Sequence, residues 1–522
     1  MQTLNQLLAD LEPSNATRAP EPLNVTLRQR LSPVADIAFA EWVADSRRIR
    51  PNDAFVLLKS QVPNAPPPPP EKISQYLAQA ANRQAAFVVS EVALDKAVVP
   101  AGLPVLYAPD IRDYLGTLVQ AQLQHAMPVQ LPHVAAVTGT NGKTTVSQLL
   151  AQLMHAHGQR SAVMGTAGNG ILPNLAPSTH TTLEVLAMQQ QLHAFAKQGV
   201  QVLAIEASSH GLHQQRLQAM PIEVAIFTNL SRDHLDYHRD MDDYAAAKAR
   251  LFNHDYFTRL THAVINRDDT AGAVMQAQAH QTGVTVWTYS LQDPAADLFA
   301  SDIQPSLNGV DFVLHTPQGA LALHSPLLGR FNVANLLAAI GGALALGVPL
   351  AELPQAVANL AGASGRMQRI DSAQGGFIVD YAHTPDALAQ VLASLRAHCA
   401  GKLWAVFGCG GDRDAGKRPL MTQAALDVAD TVILTADNPR TEDPLAILAD
   451  MQAGLSDEQR ARVCVEPDRR VAIEQAVRAA GPDDVVVIAG KGHETYQEIN
   501  GVRHDFDDRV VVAAALVAAG QA

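Results

Sequence analysis

The stretch Thr138-Gly139-Thr140-Asn141-Gly142-Lys143-Thr144-Thr145 decides how the rest of the chain is read. It follows an apolar run at 134–137. It precedes 144–157, where Val146, Leu149, Leu150, Leu153 and Met154 recur at helical spacing and Gly158 supplies a stop. Strand, glycine-rich turn and helix in that order make a phosphate loop. The glycines let backbone N–H groups face phosphate oxygens, and the helix N-terminus adds a favourable dipole. Lys143 is placed to neutralise β/γ-phosphate charge and Thr144 to bind Mg²⁺. The strict pattern asks for glycine at 137, where valine stands, so the reading rests on the strand–loop–helix context. The plainer alternative is a Gly/Asn turn carrying an exposed lysine.

Outward from this loop the chain keeps alternating between short apolar runs and helical patterns. Runs at 54–58, 86–89 and 105–107 precede it. Runs at 200–205, 224–227 and 263–265 follow, with a strongly apolar helix at 332–346, and then runs at 377–379, 403–407, 432–435 and 485–489. Apolar strands interleaved with helices predict parallel sheets covered on both faces, with ligands collecting beyond the carboxyl ends of the strands. Two breaks interrupt the pattern. The five prolines 66–70 read as a stiff extended surface loop, and the small-residue stretch 361–365 reads as a linker.

Length and composition agree with this picture. With 522 residues the chain exceeds what one core organises, so two to four domains are expected. Apolar residues make up 48% and charged residues 17%, which supplies buried cores. The net charge of -13 argues against a protein built to grip nucleic acid or an anionic membrane. Cys399, Cys409 and Cys464 offer neither a disulfide framework nor paired zinc spacing. No signal peptide is read at the N-terminus, and no apolar run reaches the roughly 20 residues of a membrane-spanning helix. A cytoplasmic protein is expected.

The polar loops after the strands hold the candidate chemistry. Glu206 ends the 200–205 run, where a carboxylate beside a phosphate loop can hold Mg²⁺; alone, a strand-end Glu pointing at solvent is the default. The loop 228–238 packs five acidic, basic or imidazole side chains, among them His234, more than a turn requires. Lys248 lies in Tyr244-Ala-Ala-Ala-Lys-Ala-Arg and reads as a solvated lysine on a plain helix.

Taken together, TGTNGKTT (138–145), EASSHGL (206–212), SRDHLDYH (231–238), the Lys248 helix, GRFNVAN (329–335) and DYAHTPDAL (380–388) resemble the Mur ligases. These are the ATP-dependent amino-acid-adding enzymes of peptidoglycan synthesis. The resemblance runs from about residue 130 to the end, with the motifs in family order. GCGGDRDAGKRPLM (408–421), DNPR (437–440) and GKGHE (490–494) are similar to the MurE type. The resemblance implies an α/β fold of three domains. These are a small N-terminal α/β domain for the UDP-sugar (1–109), a central P-loop ATP domain with a mostly parallel sheet (110–362), and a C-terminal Rossmann-like domain for the amino acid (363–522). It implies a ligase that adds meso-2,6-diaminopimelate to the D-Glu γ-carboxylate of UDP-N-acetylmuramoyl-L-alanyl-D-glutamate through an acyl phosphate; a monomer is expected.

Residue by residue, the resemblance gives ATP to Gly139, Thr140, Asn141, Gly142, Lys143, Thr144 and Thr145, with Asn332, Asn335 and His383 near the nucleotide. Mg²⁺ goes to Thr144, Glu206 and His234, and Lys248 becomes a carbamate that ligates or braces a second Mg²⁺. Asp380 joins Lys143, Glu206, His234 and Lys248 in the catalytic set. The UDP-sugar dipeptide falls to Thr181, Thr182, Ser208, Gln214 and Arg216, and its uridine to Ala44 and Ser46. The incoming amino acid falls to Arg413, Asp437, Asn438, Pro439, Arg440, Gly490 and Glu494. Here the chemistry adds an argument. Diaminopimelate carries a second amino and carboxylate group at its far end, so Arg440 can take the carboxylate bidentately and Glu494 the ammonium. In a lysine-adding site a buried Arg there would lack a partner.

The sequence departs from the family in two places. Lys59-Ser-Gln-Val and the proline run replace the usual uridine-contacting segment. Gln368 stands where relatives usually carry Glu. Two alternatives stay open, a lysine-adding or folylpolyglutamate synthase-like ligase and a P-loop NTPase switch. A folylpolyglutamate synthase lacks the DNPR and GKGHE pairing, and the switch reading gives DNPR no role.

Overall fold

The computed structural model describes residues 1–10, 25–62, 68–178, 180–306, 309–373 and 375–520. The chain divides into two compact units. One comprises Met1–Lys143, Met154–Thr288 and Ala345–Gly347, the other Thr144–Leu153, Tyr289–Leu344 and Val348–Ala522.

The first unit begins with a four-stranded parallel sheet of Trp42–Val43, Ala54–Leu57, Phe87–Ser90 and Val105–Tyr107. Side chains alternate across a strand, so each face has its own core. Phe55, Leu57 and Val88 pack with Ile73 and Leu77, whereas Val56, Phe87 and Val89 pack with Leu7, Trp42, Leu115 and Leu118. Ile73 and Leu77 belong to the helix Pro70–Asn82. This corrects the expectation of an extended loop through residue 70. Pro66 and Pro67 lie outside the described residues, Pro69 is extended, and Pro70 opens the helix. A first-turn proline sacrifices only an N–H that the helix would leave unpaired anyway.

A second sheet in this unit holds the phosphate loop. His133–Thr138 lies between Val202–Glu206 and Ile222–Phe227, flanked by Ser161–Gly165 and His262–Asn266, with every pair parallel. The strands are apolar throughout because both faces are covered; Val134, Ala136, Leu203 and Ile205 are fully buried in one face's core. Beyond Ser161–Gly165 the sheet turns antiparallel through Gly168–Ile171 and Asn174–Ala176.

The second unit contains the antiparallel strands Leu298–Ser306, Gly309–Thr316 and Gly319–Ser325. They form no continuous apolar run in the sequence, since their half-exposed faces make apolar and polar residues alternate. The helix Arg330–Ala345 follows, apolar almost all round and buried almost all round. A six-stranded sheet closes the unit, in the order Gln368–Ile370, Gly376–Asp380, Val485–Ala489, Leu403–Phe407, Thr431–Leu434, Val463–Val465. Only the first pair is antiparallel. No helix among the described residues is long and apolar enough to cross a membrane.

Candidate active site

The phosphate loop is pinned from the neighbouring strand end. Asn229 accepts from the Asn141 N–H at 2.9 Å through its side chain and from the Thr140 N–H at 2.8 Å through its carbonyl. The Thr228 hydroxyl donates to the Asn141 carbonyl at 2.6 Å. Gly139 has φ 152°, and a Cβ there would overlap the Thr228 hydroxyl, so glycine is required. Gly142 has φ 87° and leads into the helix Lys143–Ala156. Lys143 folds back over the loop, donating to the carbonyls of Gly139 at 2.9 Å and Thr140 at 2.8 Å.

Lys248 corrects the expectation of a solvated side chain. It is 1% exposed, and its Nζ donates to the Gly139 carbonyl at 2.8 Å and sits 4.4 Å from the Tyr244 ring centre. Burial first, and then the Lys143 charge, hold its pKa well below that of an ordinary lysine. The depressed pKa favours the neutral amine, the form that can add CO₂. Tyr244, from the same helix Met241–Ala249, places its hydroxyl 3.2 Å from Thr140 Oγ1, so the helix braces the loop twice.

Glu206 is 2% exposed rather than turned to bulk solvent. Its Oε1 accepts from the Thr166 N–H at 2.8 Å, and its Oε2 accepts from the Thr166 hydroxyl at 3.2 Å. Gly165 leaves room for it, because a Cβ there would collide with the carboxylate. Thr166 continues to Thr181, 3.0 Å between hydroxyls. Thr182 lies 2.8 Å from the Glu206 carbonyl and 3.0 Å from the Ser208 hydroxyl. Arg216 donates to the Thr182 carbonyl at 2.9 Å, bonds Gln214 Oε1 and pairs with Glu184. Thus Thr181, Thr182, Ser208, Gln214 and Arg216 form one network that begins at Glu206.

Joined to it through Tyr237 and Gln214 is a cluster of mutually contacting rings, His210, His213, His234, His238, Tyr237 and Tyr244. Tyr237 joins Gln214, His213 and the Gln61 carbonyl, which ties the atypical segment after Leu58 to the predicted dipeptide residues. Sequence reasoning missed Thr166 and Tyr237. His234 sits at φ 55° with its Nε2 3.5 Å from Asp233. Burial and the Lys143 and Lys248 charges push its pKa down, which favours the neutral imidazole; Asp233 opposes them. Ser46 is buried, its hydroxyl committed to Gln79 at 2.7 Å, while Ala44 is exposed.

No three His, Cys, Asp or Glu side chains converge into a ready metal cage among the described residues. One carboxylate, Glu206, and one imidazole, His234, beside a phosphate loop still fit Mg²⁺, which normally keeps water and completes its shell with substrate phosphates.

In the second unit, the predicted amino-acid residues gather where Thr431–Leu434 and Val485–Ala489 end. The Asn438 side chain donates to Glu494 Oε2 at 2.9 Å and accepts from the Glu498 N–H at 2.9 Å. Gly490 has φ 112°, and a Cβ there would sit 2.5 Å from the Asp437 carboxylate. Pro439 is buried and Arg440 adopts φ 52°, anchored by its N–H on the Glu498 carbonyl at 3.0 Å and by its Nη1 on the Gly411 carbonyl at 2.6 Å. No hydrogen bond from its Nε or Nη2 is present among the described residues. Arg413 is exposed nearby. Lys491, which sequence reasoning passed over, is completely buried and donates to Asn438 Oδ1 at 3.1 Å and Glu494 Oε2 at 3.0 Å.

Other predicted residues serve structure directly. Asp380 is buried, which raises its pKa, and its two oxygens accept from the Met367 N–H at 2.6 Å and the Ala382 N–H at 2.7 Å. It therefore sets two loops. Asn332 bonds the Leu328 carbonyl and Asn335 bonds Asn332, both inside the protein. His383 is exposed, with Nδ1 2.9 Å from the Tyr381 carbonyl. Arg366, also missed, stacks on Tyr381 with its guanidinium 4.3 Å from the ring centre and reaches the Thr144 hydroxyl at 3.4 Å. Gln368 accepts from the Gly365 N–H at 2.8 Å, a bond that a Glu could equally make.

A phosphate loop ending a parallel strand and ringed by a buried lysine, a buried glutamate and a histidine cluster defines a P-loop α/β protein. Residues 137–343 match the Mur ligase middle domain, and residues 365–492 match the Mur ligase glutamate ligase domain. The UDP-N-acetylmuramoyl-L-alanyl-D-glutamate–2,6-diaminopimelate ligase of Pseudomonas aeruginosa is 43% identical over 484 residues, 92% of this chain and 96% of that protein. The enzyme of the same name from Xanthomonas campestris is 43% identical over 506 residues, 94% of this chain and 97% of that one. A solved structure of a UDP-N-acetylmuramoyl-L-alanyl-D-glutamate–2,6-diaminopimelate ligase superposes with a TM-score of 0.71 at 46% identity, covering 99% of both chains. The chain belongs to the Mur ligase family.

Proposed function

We propose that the chain is an ATP-dependent ligase that joins an amine of meso-2,6-diaminopimelate to the D-Glu γ-carboxylate of UDP-N-acetylmuramoyl-L-alanyl-D-glutamate. Relatives of that name, aligned over nearly the whole chain, support it. The observation that carries the choice of amino acid is Arg440. One guanidinium nitrogen is anchored on Gly411, which leaves its Nε–Nη2 edge for a carboxylate. Diaminopimelate has a distal carboxylate for that edge and lysine has none.

Amide formation from a carboxylate and an amine is uphill in water, so the carboxylate must be activated. Its oxygen attacks the γ-phosphorus of ATP, ADP leaves, and an acyl phosphate results. The diaminopimelate amine then attacks the acyl carbon, and the tetrahedral intermediate expels phosphate. Lys143 exchanges its loop carbonyls for phosphate oxygens and offsets charge on the transferring group. Thr144, Glu206, His234 and carbamylated Lys248 are the residues proposed to hold Mg²⁺, which when bound would add further charge stabilisation. Gln214, Arg216, Thr181, Thr182 and Ser208 position the dipeptide, with Ala44 and Ser46 toward uridine. Asp437, Asn438, Arg440, Gly490, Glu494 and Arg413 receive diaminopimelate. Asn332, Asn335, His383 and Asp380 shape the nucleotide surroundings. In this reading 1–109, 110–362 and 363–522 act as UDP-sugar, ATP and amino-acid domains of a cytoplasmic monomer. Incubation with ATP, the UDP-dipeptide and diaminopimelate should yield the UDP-tripeptide by mass spectrometry. Hydrolysis of ATP without that product would overturn the proposal.

A further inference from the structure

We propose that Lys491 is a positioning residue that sets the preference for a zwitterionic over a purely cationic distal end of the incoming amino acid. The inference rests on the ligase reading above.

Two glycines in the left-handed region, Gly490 at φ 112° and Gly492 at φ 51°, flank Lys491, and its side chain is completely buried. Gly492 cannot carry a side chain, since a Cβ would lie 2.7 Å from the Tyr381 Cβ. The backbone is therefore shaped to deliver this lysine inward. Its Nζ meets Asn438 Oδ1 at 3.1 Å and Glu494 Oε2 at 3.0 Å, and Asn438 Nδ2 meets the same Oε2 at 2.9 Å. Every hydrogen bond to the Glu494 carboxylate among the described residues falls on Oε2. Oε1 is thereby left for a ligand, and the carboxylate is held in one orientation by two donors.

The charge balance gives the arrangement a consequence for selectivity. Asp437, Glu494 and Asp412 bring three carboxylates to this cluster, and Arg440, Lys491 and Arg413 bring three cations. The buried Arg469 adds no net charge, because Asp508 takes it bidentately at 2.8 and 2.7 Å. A balanced cluster suits a distal end that carries both an ammonium and a carboxylate. Without Lys491 the cluster keeps an excess negative charge and turns toward a lone ammonium, the distal end of lysine. Lys491 is already committed to Glu494 and Asn438, so it acts through them rather than by binding ligand.

The test compares the full-length enzyme with Lys491→Met, Glu494→Gln and the double variant. ADP release is followed at saturating ATP and UDP-dipeptide, with diaminopimelate or L-lysine varied. Lys491→Met should raise KM for diaminopimelate by about tenfold and leave kcat within about threefold, while KM for lysine stays level or falls. The preference for diaminopimelate then drops at least about tenfold. On the Glu494→Gln background the same substitution should change KM by less than about twofold, since its partner charge is gone. Equal losses for both amino acids, or an undiminished effect on that background, would overturn the proposal. If Lys491→Met alone fails to fold, the double variant against Glu494→Gln carries the comparison; failure of both to fold would reduce Lys491 to a structural ion and also overturn it. A wild-type enzyme that ignores diaminopimelate would instead defeat the ligase reading itself.

Discussion

Lys143 and Lys248 place their Nζ atoms on one acceptor, the Gly139 carbonyl oxygen, at 2.9 and 2.8 Å. Two cations on one carbonyl repel each other, and Lys248 has the less solvent to compensate. Its pKa falls accordingly, with burial the larger cause and Lys143 the next. An ordinary lysine is neutral in only about one molecule in a thousand at pH 7, whereas a depressed pKa raises that fraction steeply. Lys248 is therefore expected to take up ¹³C-labelled bicarbonate as a carbamate carbon resonance that Lys248→Met lacks. Uptake should increase with pH through the lowered pKa, not only near pH 10. A spectrum without the resonance at saturating bicarbonate would count against this.

Lys143 has the complementary role. Lys143→Ala should leave the melting temperature within a few degrees and cut ADP formation by about a thousandfold or more, since in the proposed reaction its charge offsets the transferring phosphoryl group. Rates within tenfold of wild type would mean the loop's amide groups alone carry the step.

Gly139→Ala tests the geometry of the loop rather than its charge. The new methyl meets the Thr228 hydroxyl, which itself holds the Asn141 carbonyl. Nucleotide affinity should fall by about 2 kcal/mol, roughly thirtyfold, by calorimetry, with binding of diaminopimelate unchanged.

These positions were not equally legible in the sequence. The helix after the loop was, because its apolar residues recur every three or four positions and Gly158 ends it. The parallel strands were too, because burial on both faces leaves them apolar throughout. Lys248 was not. Its helix is rich in alanine and has no marked apolar face, so what covers the lysine is the distant Gly139 turn. Lys491 was missed for a related reason: a lysine between two glycines reads as exposed, and only the left-handed backbone turns it inward. Pro70 shows the opposite error, in which a composition rule for loops overrode the tolerance of a helix's first turn.

The histidine cluster predicts a pH dependence of stability. Burial first, with His234 and His238 adding, lowers the His210 pKa to about 4. Its unfolded value is near 6.5, so between those limits the unfolded chain binds a proton that the folded one refuses. Its contribution is complete above about pH 6.5 and is lost as pH falls toward 4. Melting temperature should therefore decline over that window, and His210→Gln should flatten the decline. An unchanged slope would place the titrating group elsewhere.

The pair of Arg469 and Asp508 is completely buried, at 0% exposure on both sides. Asp508→Ala should destabilise by about 3–5 kcal/mol in urea unfolding, because it strands a buried guanidinium. Replacing both partners with apolar residues of similar size should cost far less. A small loss from the single change would mean that water reaches Arg469.

The most direct measurement is ADP formation by the wild-type protein with ATP and UDP-N-acetylmuramoyl-L-alanyl-D-glutamate, comparing meso-diaminopimelate, L-lysine and no amino acid. Turnover should be rapid with diaminopimelate and at least about a hundredfold slower with lysine or with nothing added. Equal rates in all three, or a preference for lysine, would contradict it.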